Sequence, residues 1–393
     1  MQIEVYSPTI RRKEMDAVLT AMVEDKIGPG DQAKFLIQTA KEKIGFDFCL
    51  ALRSPAIALS LALKALNLKQ GQGVIISALS PLYYRRVIED SGLIALYCDV
   101  LPSTCCMARE TVEKLISSIA EGPGIGCIVI HHTLGFLGDG AAIAELGFPV
   151  IEDCSQSYGS MILAGSGGFS AVESKDRGEE PSGIDVEGAV KGIPSGNAGV
   201  FTILGLEERD MLTSGGGALL YSVSRRDAAA LRELGDLPPE YGLPDMNAAL
   251  AVVQFREALR NIQKRGEIAR LYTQSSLRTR HKRFVQHDVG YPKNQADRSV
   301  AAEGSAKLPV EYNNYAFPLI LETGMKDVRA YARRKDIAVE SAFENTLAGK
   351  GLVLHEQCPE SYSLSLRTVL FPLYPRLGMT NAEKVAKLIL TLP

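Results

Sequence analysis

No uninterrupted apolar run in this chain approaches the length of a membrane-spanning helix. The amino terminus, Met1-Gln2-Ile3-Glu4-Val5, has no basic stretch leading into an apolar one, so a secretory signal is not expected there. Charge of one sign is also lacking. The formal net charge is −3 and the pI about 6.1, which gives no electrostatic footing for nucleic acid or for an anionic membrane. The seven cysteines, at 49, 98, 105, 106, 127, 154 and 358, include no CxxC pair. An odd number of thiols, flanked mostly by apolar residues, reads as reduced and buried in a cytoplasmic protein. The vicinal Cys105-Cys106 pair does not close a tetrahedral metal site alone, and no cysteine spacing fits an iron–sulfur cluster. No internal repeat is found. Two further absences bear on chemistry: no lysine occurs from residue 192 to 256, and no histidine between His132 and His281.

What is present is ordinary for a globular protein: 46% hydrophobic and 23% charged residues in 393, enough for one large and one small domain. Short apolar runs alternate with helical patterns. Val74-Ile75-Ile76-Ser77, Leu93 to Tyr97, Gly126 to Ile130 and Val150-Ile151 read as strands, with helices over Tyr83 to Ser91, Thr111 to Ala120 and Gly140 to Leu146 between them. Near-continuous apolar strands alternating with helices predict an α/β fold with a mostly parallel sheet covered on both faces. Near the start, Met15, Val18, Leu19 and Met22 form an apolar stripe on a first helix. Ser54-Pro55 opens a long apolar helix, with proline at a tolerated early position. Residues 161–197, rich in glycine, serine and charge, break the rhythm and are expected to form a long loop or insertion. Residues 278–308 are polar and basic and are expected at the surface, and Tyr312 to Leu321 reads as a strand. A long helix, Met246 to Leu271, is expected to link a large domain (1–250) to a small carboxyl-terminal α+β domain (251–393).

The run Pro149-Val150-Ile151-Glu152-Asp153-Cys154-Ser155-Gln156-Ser157-Tyr158-Gly159 resembles the cofactor strand of the DegT/DnrJ/EryC1/StrS family. Gly28-Pro29-Gly30, the helix after Ser54, the Gly215-Gly216-Gly217 turn, Leu243 to Leu250, Cys358-Pro359-Glu360 and Phe371 to Pro375 extend the resemblance over almost the whole chain. These proteins are sugar aminotransferases of fold type I that use pyridoxal phosphate (PLP). The resemblance implies that Asp153 serves the pyridine nitrogen, whose protonation makes the ring an electron sink. It further implies that Gln156 meets the ring hydroxyl and that Tyr83 or Tyr84 stacks on the ring. Ser54 and Ala56, at a helix amino terminus, and Thr202 would hold the phosphate. Each has an everyday alternative: Asp153 and Gln156 as strand-end caps, Ser54 as a helix cap, Thr202 as a strand threonine, the tyrosines as core.

The same resemblance places the cofactor-binding lysine at Glu207, or by a shifted count at Glu208 or Arg209. None of the three forms an imine, and lysine also carries the proton at the substrate carbon. Pro55 lacks an N–H to offer a phosphate. Glu240-Tyr241-Gly242 stands where the family has an Asn-Tyr-Arg-like motif, which removes a cation and adds an acid. The expectation is therefore a homodimeric aminotransferase-like protein of nucleotide-sugar or surface-polysaccharide metabolism without ordinary transaminase activity. Such a protein would be a pseudoenzyme or the partner of an active paralogue. PLP or pyridoxamine phosphate (PMP) would be bound non-covalently, or not at all. The alternatives are altered chemistry on a nucleotide-linked sugar, with Glu207 or Glu208 as base, and an active enzyme whose lysine, Lys191 or Lys175, comes from the insertion.

Overall fold

The structure is a computed structural model, and it describes residues 2–119, 122–163, 192–290, 307–322 and 324–393. In chain order the elements begin with α1 (Arg12–Val23), α2 (Asp31–Ile44), β1 (Phe48–Leu52), α3 (Pro55–Ala65), β2 (Gly73–Ser77), α4 (Leu82–Asp90), β3 (Ile94–Cys98), α5 (Arg109–Ser118), β4 (Ile125–His131), α6 (Gly140–Ala144) and β5 (Val150–Asp153). There follow β6 (Met161–Leu163), β7 (Gly192–Pro194), β8 (Phe201–Gly205), β9 (Ala218–Ser222), α7 (Arg225–Arg232) and α8 (Asp245–Ser276). The last third holds β10 (Val289–Gly290), β11 (Lys307–Leu308), β12 (Val310–Glu311), β13 (Phe317–Ile320), α9 (Met325–Arg333), β14 (Glu340–Ser341), α10 (Pro359–Arg367), β15 (Thr368–Phe371) and α11 (Met379–Leu390).

Seven strands form the main sheet in the order β1-β9-β8-β5-β4-β2-β3. Every pairing from β3 to β8 is parallel, and β9 alone runs against its neighbours. Val74, Ile75 and Ile76 of β2 and Cys127 to Ile130 of β4 are fully buried. Their unbroken apolar runs follow from helices covering both faces, which leave no face for polar residues. A parallel arrangement also gathers the carboxyl ends of β2, β4, β5 and β8 along one edge, where α/β folds place their ligands.

Helix α8 joins this sheet to a second core. Its first half packs Ala248, Val252 and Phe255 against β9 and α2, while Ile268, Ala269 and Tyr272 pack against β13, β15 and α11. The mixture of short strands and helices beyond α8 is the α+β character the sequence predicts.

Several expectations need correction. The α1 stripe does not face the core: Met15, Leu19 and Met22 are 51%, 55% and 50% exposed, while Glu14 and Ala21 are buried. Glu14 is held there by bonds from the Arg11 N–H at 3.0 Å and the Gln254 amide at 3.4 Å, so a satisfied acid rather than an apolar face meets α8. The ends of the 161–197 segment are not loop. β6 pairs with both β7 and β12, and residues 164–191 lie outside the described residues. The strand expected over Tyr312 to Leu321 is confined to Phe317–Ile320, because Asn313 turns aside to bond the carbonyls of Gln156 and Tyr158 at 2.8 and 3.0 Å. Within the polar 278–308 stretch, His281, Phe284 and Val289 are buried.

Candidate functional site

β5 ends in two adjacent acids, which alternation sends to opposite faces of the sheet. On one face Glu152 accepts from the backbone N–H groups of Ala198 and Gly199, both at 2.7 Å. His132 Nε2 lies 3.1 Å from its other oxygen, and the Gly138 N–H donates to His132 Nδ1 at 3.2 Å, which makes Nε2 the donor to Glu152. Burial alone would raise this carboxyl, but His132 and the two N–H groups overcome it and hold Glu152 below the usual range.

On the other face Asp153 is 1% exposed. Its Oδ1 accepts from the Ser155 N–H at 2.9 Å and from the Ser155 hydroxyl. Its Oδ2 accepts from Tyr84 at 2.5 Å, with the Tyr83 hydroxyl at 3.4 Å. His131 Nδ1, from the end of β4, stands 3.6 Å away, at ion-pair rather than hydrogen-bond distance. Burial works against ionisation here too, yet His131, Ser155 and Tyr84 together bring the Asp153 carboxyl down to about 2.

The segment after β8 wraps under this carboxylate. Glu207, Glu208 and Arg209 are exposed, and Arg209 pairs with Glu340 at 2.6 Å. The backbone is tied down on several sides: the Met211 N–H to the Ser155 carbonyl at 3.0 Å, the Tyr315 hydroxyl to the Arg209 carbonyl at 2.7 Å, and the Tyr6 hydroxyl to the Glu208 carbonyl. Asp210 alone turns inward. It accepts from the Glu207 N–H at 2.8 Å, and Gly205 leaves room for it, since a side chain there would run into both its carboxylate and the Ser155 hydroxyl. Burial first, and then the nearby charge of Asp153, push the Asp210 carboxyl up to about 7.

The other residues singled out in the sequence have partners of their own. Ser54 caps α3, accepting from the Ile57 N–H at 3.3 Å, and Ala56 sits half-buried in that first turn behind Pro55. Thr202 donates to the Gly196 carbonyl at 2.8 Å. Gln156 accepts from the Leu134 N–H at 2.6 Å. Tyr84 is fully buried, edge-on to Tyr83 and to His131, so of the two tyrosines it is the one that covers Asp153. Glu240 and Tyr241 are exposed, with the Arg53 side chain donating to the Glu240 carbonyl at 2.9 Å. Lys175 and Lys191 lie outside the described residues.

What this set lacks for PLP is an amine at residue 207, where the resemblance places the lysine. A pyridinium nitrogen needs an oxygen of Asp153; each oxygen holds protein donors, and a carboxylate can accept more than one bond per oxygen. A phosphate needs N–H and hydroxyl donors at α3 and β8: Thr202 spends its hydroxyl proton on the Gly196 carbonyl, whereas Ser54 accepts from Ile57 and keeps its own. Glu207 offers no amine and faces solvent. Sequence reasoning found Asp153 but missed His131, Ser155 and Asp210. The signals available were an Asp-x-Ser step, which favours a side chain bonding its own backbone two residues on, and an Asp three residues after Glu207 in a glycine-flanked turn.

Residues 8–174 match the DegT/DnrJ/EryC1/StrS aminotransferase family. An L-glutamine:2-deoxy-scyllo-inosose aminotransferase of Streptomyces fradiae is 29% identical over 142 residues, which is 33% of this chain and 32% of that one. Over 293 residues, 69% of this chain and 70% of the other, it is 25% identical to a dTDP-4-dehydro-2,3,6-trideoxy-D-glucose 4-aminotransferase of Saccharopolyspora spinosa. Among solved structures, the aminotransferase TlmJ from Streptoalloteichus hindustanus superposes with a TM-score of 0.76 at 18% identity, covering 98% of this chain and 97% of that one. The PMP form of a sugar aminotransferase, Spr1654 of Streptococcus pneumoniae, gives 0.76 at 16% identity, covering 100% and 97%. At these identities the superpositions establish the fold, the PLP-transferase fold of type I. The sequence match to the DegT/DnrJ/EryC1/StrS aminotransferase family thus lies in residues 8–174, and the fold of such aminotransferases extends over the whole chain.

Proposed function

We propose that this chain is an aminotransferase-family protein of nucleotide-sugar or surface-polysaccharide metabolism that does not transaminate. It would serve as a binding or regulatory partner, perforce without a covalent cofactor. The observation that carries the reading is the stretch with no lysine from 192 to 256, in which the exposed Glu207 stands where the resemblance would put one. The closed network around Asp153 supports it. Seven unpaired, buried cysteines suit a reducing compartment such as the cytoplasm. A homodimer is supported by exposed apolar side chains on α1, α2 and α8, the three helices packed together: Met15, Leu19, Met22, Val23, Phe35 and Leu259.

The test is an absorbance titration with PLP and, separately, PMP, followed by borohydride reduction and mass spectrometry of the PLP arm. No binding at about millimolar cofactor is expected. A reducible adduct on one lysine would sink the reading and identify the displaced amine. A second reading, altered chemistry on a nucleotide-linked sugar, gains support from one observation. Asp210, not the exposed Glu207, is the carboxyl poised near neutrality beside an ionised partner, a pattern seen in acid–base pairs. Turnover of a nucleotide sugar that Asp210→Asn abolishes and Glu207→Gln spares would favour it.

A further inference from the structure

The amino-terminal arm crosses α8 and the segment after β8, and together they enclose a solvent-open cleft. Tyr6, Asp210, Thr213, Gln254, Asn261 and Arg265 are among the residues lining it. Arg265, on α8, is 5% exposed. Its Nη1 donates to the carbonyls of Tyr315 and Leu373 at 2.9 and 2.8 Å, and these are the only acceptors its guanidinium meets among the described residues. No carboxylate there pairs with it. A guanidinium presents five N–H donors in a fixed fork, so those of Nε and Nη2 have only the cleft to turn to. A buried charge without a counter-charge is costly, and an anion arriving in the cleft relieves that cost.

The neighbouring side chains are left as donors too. The Asn261 carbonyl is taken by Arg11 Nη2 at 3.1 Å, which leaves its amide N–H groups. The Thr213 oxygen accepts from the Gly215 N–H at 3.3 Å, which leaves its hydroxyl proton. Arg11 Nη1 has no hydrogen-bond partner and stands 3.8 Å from Glu257, which balances its charge, so the cleft's own positive charge is that of Arg265. The single acid lining the cleft, Asp210, already accepts from the Glu207 N–H and is half-buried. With its carboxyl raised to about 7 it is substantially protonated at neutral pH, so it repels an incoming anion less than an ordinary aspartate would.

We propose that this cleft is a binding site for a small oxyanion, a carboxylate or a phosphate, held by the fork of Arg265 and by the Asn261 amide and Thr213 hydroxyl. The site adjoins the Asp153 carboxylate through Asp210 but is built on Arg265, and it holds whether or not the protein catalyses a reaction. A planar carboxylate matches the bidentate fork, and one guanidinium with neutral donors balances a single negative charge.

The test uses the full chain, titrated with sodium acetate, inorganic phosphate and sodium chloride at constant ionic strength, read by calorimetry and by the shift in melting temperature. Saturable acetate or phosphate binding is expected, and the tighter of the two identifies the source of the oxyanion. Arg265→Lys keeps the charge, loses the fork and should weaken binding at least about ten-fold. Because Arg265 also ties α8 to two carbonyls, Thr213→Val and a change at Ser7, which also lines the cleft, to Asp (Ser7→Asp) serve as variants that spare that tie, each expected to weaken binding several-fold. Absence of saturation by either oxyanion in the wild-type chain would overturn the proposal. So would equal binding of chloride, or unchanged affinity in folded Thr213→Val and Ser7→Asp.

Discussion

The end of β5 and the segment 207–210 touch, yet they are built on opposite principles. At the end of β5 every carboxylate oxygen of Glu152 and Asp153 has a protein donor, and both acids are held as anions inside the sheet edge. In the neighbouring segment the backbone is tied down while the side chains of Glu207, Glu208 and Arg209 point to solvent. The difference means that the end of β5 is held together by its own donors, whatever side chain stands at residue 207. Removing Asp153 strands Tyr84 and Ser155 in a buried site, and such stranding is strongly destabilising. Exchanging Glu207 strands nothing.

Five substitutions sharpen or break this contrast. The largest effect should come from Glu152→Ala, which leaves two backbone N–H groups and His132 without an acceptor: about 3–5 kcal/mol by urea unfolding. A loss under about 1 kcal/mol, the scale of an ordinary surface change, would mean that the β5 acids are not structural. Next comes Asp210. Its folded pKa of about 7 lies above the ordinary 3.8, so between those values the unfolded chain has lost its proton and the folded chain has kept it. Stability should therefore fall as pH rises through that window, by up to about 4 kcal/mol. Asp210→Asn should remove that slope, leaving it more stable than wild type at pH 8 and nearly equal below pH 4, as denaturant midpoints at several pH values would reveal. Tyr84→Phe should cost about 1.5–3 kcal/mol, the range for a hydrogen bond to a charged group, and Tyr83→Phe distinctly less, since its hydroxyl stands at 3.4 Å. An equal loss from both would undo the assignment of Tyr84 as the group covering Asp153.

Much of the frame could be read from the chain because its signals are local. The runs at Val74, Gly126 and Val150 are apolar on both faces, and a parallel sheet requires that of them. Asp153 was legible through the resemblance of the run Pro149 to Gly159 to the family's cofactor strand. The partners of Asp153 were not, because they are separated in sequence and meet only through topology: Tyr84 begins α4, His131 ends β4, and Asp210 follows β8. The α1 stripe misled for a related reason. Periodicity locates an apolar face but does not say what covers it, and here the core side of α1 is Glu14, satisfied by Arg11 and Gln254. Nothing short-range in Arg265 distinguishes it from a surface arginine, since its burial is imposed by Tyr315 and Leu373, 50 and 108 residues away.

The smallest expected effect is the most direct test of the contrast. Glu207→Lys puts an amine where the resemblance would place the family's lysine, at a position where the side chain is exposed and only the backbone N–H is engaged. Stability should change by less than about 0.5 kcal/mol, as for other exposed substitutions. If the lysine were all that is missing, the variant incubated with PLP and borohydride would be labelled at residue 207 ahead of every other lysine. Labelling no greater than at surface lysines is expected, because the amine would supply an anchor while Tyr84 and Ser155 still hold both oxygens of Asp153. Adding Tyr84→Ala to the lysine variant then decides between anchor and plug. Selective labelling only in the double variant would place the obstruction at the end of β5, in the region where every partner is already taken.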